Sequence, residues 1–123
     1  MLMKNQPFLV RLGFAVRGLA HALRSENSLK IQAVAFVLVL LALMRLRPSP
    51  GWWALVGLAS AGVIAAELLN TAIEELADHL HPELHPRIRL VKDCAAAAVL
   101  VAVLGALGVA LAFGMEVLLQ RQH

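Results

Sequence analysis

GWWALVGLASAGVIAAELLNTAIEELAD, residues 51–78, is the stretch whose reading decides the fold. Its first sixteen residues carry no charge, and the next twelve hold four acids and an asparagine. No glycine or proline interrupts residues 63–80, so the spacing predicts one helix running from the tryptophans past Glu67 to about residue 80. At about 100° per residue, Glu67, Glu74 and Asp78 fall within about 20° of one line. Asn70 lies about 60° to one side of Glu67 and Glu75 about 80° to the other. If Trp53 marks a membrane–water interface, Glu67 sits about 21 Å further along a hydrocarbon core about 30 Å thick. An ionised acid at depth costs about 2.5–3.5 kcal/mol, so such a stripe needs either a function or a helix–helix network to account for it.

Composition supports the membrane setting. Sixty per cent of the 123 residues are hydrophobic and 15% are charged. With a mean hydropathy of +0.76, one domain of this size has too little interior to hide its apolar surface from water. The expected class is an all-α membrane protein with three transmembrane helices and an N-terminal amphipathic surface helix. In residues 8–24, Phe8, Leu12, Ala15, Val16, Leu19 and Leu23 share one face, with Arg17, His21 and Arg24 opposite, a pattern suited to an anionic membrane surface. The spans are expected at residues 28–46, 52–80 and 90–119. The first is charge-free only over residues 31–44, and Lys30 and Arg45 extend it by snorkelling, with Asn27 and Ser28 as its start. RPSPG at 47–51 and HPELHP at 81–86 break the chain between spans. Residues 94–115 are charge-free, and Gly105 and Gly108 there favour close helix approach.

Three spans put the N-terminal region and the HPELHP loop on one side. That side carries Lys4, Arg11, Arg17, Arg24, Lys30, Arg87, Arg89 and Lys92; the other carries Arg45, Arg47 and Arg121. This asymmetry predicts a cytoplasmic N-terminus. The net charge of +3, without interleaved aromatic and basic residues, argues against a nucleic-acid partner. Cys94 stands alone, so no internal disulfide forms; it is expected to pack as a small helical residue. His79, His81 and His85 match no zinc spacing, and neither a P-loop nor a dinucleotide fingerprint is present.

Two further polar groups are expected at the level of the acidic stripe: Glu26 and Asn27 before the first span, and Lys92 and Asp93 before the last. Acids and an amide can hold a divalent cation through oxygen, with a lysine for phosphate. A catalytic site, a non-catalytic oligomer pinned by buried acids and a proton-conducting bundle all remain open on these residues alone.

From RGLAHALRSEN through ELLNTAIEELAD to HPRIRLVKDCAAAAV, the chain resembles the prokaryotic diacylglycerol kinase family of integral-membrane lipid kinases, which includes undecaprenol kinases. Glu67-x-x-Asn70-x-Ala72-Ile73-Glu74, followed by Lys92-Asp93, is the most specific part. The resemblance implies a homotrimeric bundle in the bacterial inner membrane, with active sites between subunits on the cytoplasmic side. It implies ATP as co-substrate, Mg²⁺ as cofactor and a membrane lipid as acceptor, diacylglycerol first and undecaprenol as the alternative. By motif position Glu67 resembles the general base and Glu26 and Glu74 the metal ligands. Glu83, Leu84, His85, Lys92 and Asp93 resemble nucleotide contacts, and Asn70 a substrate-positioning residue. Asp78 receives no role. The chain departs from the Gram-negative diacylglycerol kinases at Ala95-Ala96, where they tend to have Gly-Ser. It is closer to the undecaprenol kinases over SENSLKIQ, residues 25–32. Pro7 stands where some members carry a nucleotide-binding arginine, with Arg11 one turn later.

Overall fold

The computed structural model describes residues 5–122, and Lys4 of the charge asymmetry lies outside them. Four helices follow in order: α1 (Phe8–Ser25), α2 (Asn27–Leu46), α3 (Pro50–Leu80) and α4 (Pro86–Arg121). There is no strand among the described residues. α2, α3 and α4 are each long and apolar enough to cross a membrane, as the charge-free runs require.

Each boundary has a local cause. Glu26, in extended conformation, separates α1 from α2. It is the N-cap residue of α2 but makes no side-chain cap bond. The expected start at Asn27 and Ser28 is therefore displaced by one residue, and the Ser28 hydroxyl is used elsewhere. α2 stops because Arg47 turns left-handed (φ 49°, ψ 58°), its N–H reaching the Leu43 carbonyl at 2.9 Å, and because Pro48 cannot donate to the ladder. Pro50 and Pro86 open α3 and α4, where a missing N–H is harmless. α4 thus begins at Pro86 rather than near residue 90, capped by the His85 ring accepting from the Arg87 N–H at 3.1 Å.

α3 and α4 form a long antiparallel hairpin, while α2 touches α3 only in places and α1 packs beside the start of α2. The hairpin seam follows alternating three- and four-residue steps. Ala95, Val99, Ala102, Ala106, Val109 and Phe113 turn inward from α4, and Val56, Ala59, Val63, Glu67, Asn70, Glu74 and Ala77 from α3. The seam takes Ala95 rather than its neighbour, so Cys94 faces outward and is exposed instead of packed. Gly105 and Gly108 also lie off the seam: a Cβ at either would meet nothing within 4 Å, so neither mediates close approach within the chain.

The chain exposes 9589 Å², against roughly 6,400 Å² for a compact soluble protein of this mass. Phe8, Leu9 and Val16 of α1 and Leu58, Val101 and Leu111 of the spans are among the uncovered apolar side chains. Lipid is the solvent that accommodates such a surface. At 31 and 36 residues, α3 and α4 are about 46 and 54 Å long, well beyond a 30 Å hydrocarbon core. Their paired extensions flank the 81–85 loop and carry Glu74, Asp78 and Lys92.

Candidate active site

Glu67 is the one buried charged residue among those described, 8% exposed. It occupies a seam position that Val63 fills one turn earlier, so the fold turns this acid inward. Two neutral donors from α2 meet it there. Gln32 Nε2 donates to Oε1 at 2.8 Å and Ser28 Oγ donates to Oε2 at 3.3 Å. Ser28 and Gln32 are four residues apart, one turn of α2, and so present their polar groups on one face. A carboxylate has about four lone-pair sites, so two accepted bonds leave Glu67 able to accept more. Charge-assisted bonds of this kind offset part of the desolvation of the acid.

The surrounding polar atoms are incompletely paired. Gln32 Oε1 and Asn70 Oδ1 are buried without a hydrogen-bond partner. Both are acceptors within one helical turn of the Glu67 network, Asn70 being one turn along α3. Buried acceptors usually find a donor, and these two are open to a hydroxyl.

Further along the hairpin, Lys92 of α4 pairs with Asp78 of α3 at 2.5 Å. Lys92 does not pair with its neighbour Asp93, which points elsewhere around α4 and is exposed. This gives Asp78 a contact that sequence alone did not assign. Glu74, half-buried, is close enough to act on the Lys92 charge. An ammonium has three donors, so two remain after Asp78 is served.

The remaining candidates are placed but not joined. Glu26 is half-buried at the α1–α2 break, and neither its carboxylate nor that of Glu74 has a hydrogen-bond or ion-pair partner among the described residues. No three acids, histidines or cysteines gather into a metal-holding group among those residues. Glu83 and Leu84 stand exposed in the interhelical loop. His85 caps α4, and His81 packs edge-on to it at 5.4 Å while its Nδ1 meets the Glu83 carbonyl at 3.0 Å. The histidines therefore shape the loop.

Gln32 and Ser28 are the site residues that sequence reasoning missed. Their signal was present in the four-residue spacing of two polar side chains on a membrane helix, where polar groups need partners.

Comparison with known proteins finds relatives of this chain. The profile of a family described as "Prokaryotic diacylglycerol kinase" matches residues 13–113. A Bacillus subtilis protein named undecaprenol kinase is 36% identical over 87 residues, covering 71% of each chain. A Synechocystis protein named diacylglycerol kinase is 33% identical over 99 residues, which are 80% of this chain and 57% of that one.

Proposed function

The chain belongs to the prokaryotic diacylglycerol kinase family, and from that premise we propose that it transfers the γ-phosphoryl group of ATP to a membrane lipid hydroxyl. Burial of Glu67 beneath two neutral donors carries the reading, because a carboxylate so held is positioned to accept a proton. The acceptor hydroxyl approaches the free lone pairs of Glu67, and the Asn70 and Gln32 carbonyl oxygens orient it. As the oxygen bonds to the γ-phosphorus, its proton passes to Glu67 and the bond to the β-bridging oxygen breaks, releasing ADP. Phosphoryl transfer demands positioning and charge neutralisation more than covalent participation by the protein.

The donor set fits magnesium. Glu26 and Glu74 are unengaged carboxylates, and magnesium takes one or two such groups with phosphate and water oxygens, not a closed protein cage. When bound, it supplies neutralisation of the nucleotide phosphates. Lys92, fixed by Asp78, directs its two remaining N–H donors to phosphate oxygens. Asp93 and residues 83–85 border the nucleotide. Diacylglycerol, giving phosphatidic acid, is the proposed acceptor. Undecaprenol is the second reading, favoured by the Bacillus relative and by residues 25–32, which contribute both donors to Glu67. The enzyme works as a homotrimer in the bacterial cytoplasmic membrane, N-terminus and site on the cytoplasmic side.

Transfer of label from γ-labelled ATP to extracted lipid tests the reading, with diacylglycerol and undecaprenol offered separately. Glu67→Gln should abolish transfer and leave an intact oligomer. Undiminished transfer by that variant removes Glu67 from its role, and no label in either lipid removes the kinase assignment.

A further inference from the structure

The bundle has a polar pocket at the end away from Glu67. It measures ≈ 380 Å³ and is lined by Arg47 and Ser49 of the α2–α3 turn and by Glu116, Gln120 and Arg121 near the end of α4. Gln32 and Arg47 are fifteen residues apart, so about 22 Å of α2 separates this pocket from the Glu67 network. None of its residues enters the proposed phosphoryl transfer.

Its charge is unbalanced. Two guanidinium groups face one carboxylate, and a Glu116 oxygen already accepts from the Trp52 indole N–H. Arg47 also holds a left-handed backbone, where glycine is the ordinary residue at a helix end. That conformation carries a steric penalty for a side chain such as arginine, and Arg47 is among the residues that line the pocket.

The pocket also adjoins an apolar groove of ≈ 650 Å³ between α2, α3 and α4. Leu46, Phe113 and Val117 line both. The combined shape has a basic head at one end of the bundle and a long apolar tail whose far end is lined by Gln32 and Val63. We propose that it binds a membrane phospholipid, the anionic headgroup phosphate on Arg47 and Arg121 and an acyl chain in the groove. Arginine pairs bind phosphate oxygens through their N–H forks, and the groove supplies the apolar burial a chain requires.

Trp52 reports on the site directly, because its ring packs edge-on against Phe113 at 5.1 Å. The full chain with Trp53→Phe, reconstituted in phosphatidylcholine vesicles, leaves Trp52 as the fluorophore. Brominated phosphatidylglycerol should then quench it with roughly fivefold preference over brominated phosphatidylcholine, the ratio one net charge near a membrane surface supports. Arg47→Asn with Arg121→Gln should bring that ratio close to one, asparagine being chosen because it tolerates the left-handed backbone. Arg121→Gln alone, at an exposed helix end, should lower it part of the way and requires no refolding of the turn. Arg45→Gln, outside the pocket, should leave it unchanged. A ratio near one in the unsubstituted pocket overturns the proposal. So does a ratio that survives both arginine variants, or one that Arg45→Gln abolishes equally, which marks a diffuse surface field. Fluorescence indifferent to both brominated lipids, as when a second copy fills the groove, overturns it too.

Discussion

Gln32→Met isolates the contribution of the α2 donors to Glu67. The substitution keeps chain length and shape but deletes the Nε2 that donates to Glu67 at 2.8 Å. A hydrogen bond to a charged group contributes about 1.5–3 kcal/mol, which corresponds to a turnover loss of roughly ten- to hundredfold if the bond positions the base in the transition state. The same substitution also removes the buried, unpartnered Oε1, whose desolvation costs about 1–3 kcal/mol. These contributions to folding nearly cancel, so thermal unfolding should shift little while kcat falls. Ser28 donates over a longer 3.3 Å from an exposed position, so Ser28→Ala should lower kcat only roughly two- to fivefold. Initial rates of lipid phosphorylation at saturating ATP, alongside unfolding by circular dichroism, measure both quantities. Gln32→Met turning over within twofold of the parent, or losing activity only in step with stability, refutes the positioning role.

Two other perturbations address the nucleotide end. Lys92→Met should raise KM for ATP at least roughly tenfold, and Asp78→Asn less, roughly two- to fivefold, because Asp78 acts only by holding the ammonium. Neither should change lipid KM, and Asp78→Asn should barely alter unfolding, since solvent screens an exposed ion pair; the reverse order of KM effects contradicts the assignment. Glu74→Gln, and separately Glu26→Gln, should raise the magnesium concentration for half-maximal activity roughly tenfold, the cost of one charge-assisted ligand. Titration of magnesium at fixed ATP measures this, and an unchanged midpoint removes that residue from the metal set.

The spans were legible because a membrane imposes a length and a polarity that any apolar run must satisfy. The inward stripe was legible in part: Glu67, Asn70 and Glu74 keep the helical period and the seam buries or half-buries them, while Glu75 and, on the same line as Glu67, Asp78 stand exposed. What escaped was pairing across helices. Gln32 and Glu67 are 35 residues apart, and a glutamine near the start of an apolar run resembles an interface residue until α3 lies beside it. Asp78 likewise gained its contact only when the loop folded α4 back and brought Lys92 across fourteen residues. Gly105 and Gly108 make no close approach within the chain, because the alternating steps of α4 turn a different face to α3.

The overlong α3 also works as a depth gauge. Trp52 is tethered to Glu116 and Phe113 at one end, and Glu67 follows fifteen residues later on the same rigid rod, about 22 Å away. Bilayers differ in thickness by several Å, whereas this interval is fixed by the hydrogen-bonded helical rise. A thin membrane lifts the carboxylate toward the headgroups and water-borne nucleotide, and a thick one submerges it among the chains. The surrounding lipid therefore sets how far an alcohol must rise to meet its phosphate, even when that lipid is never a reactant.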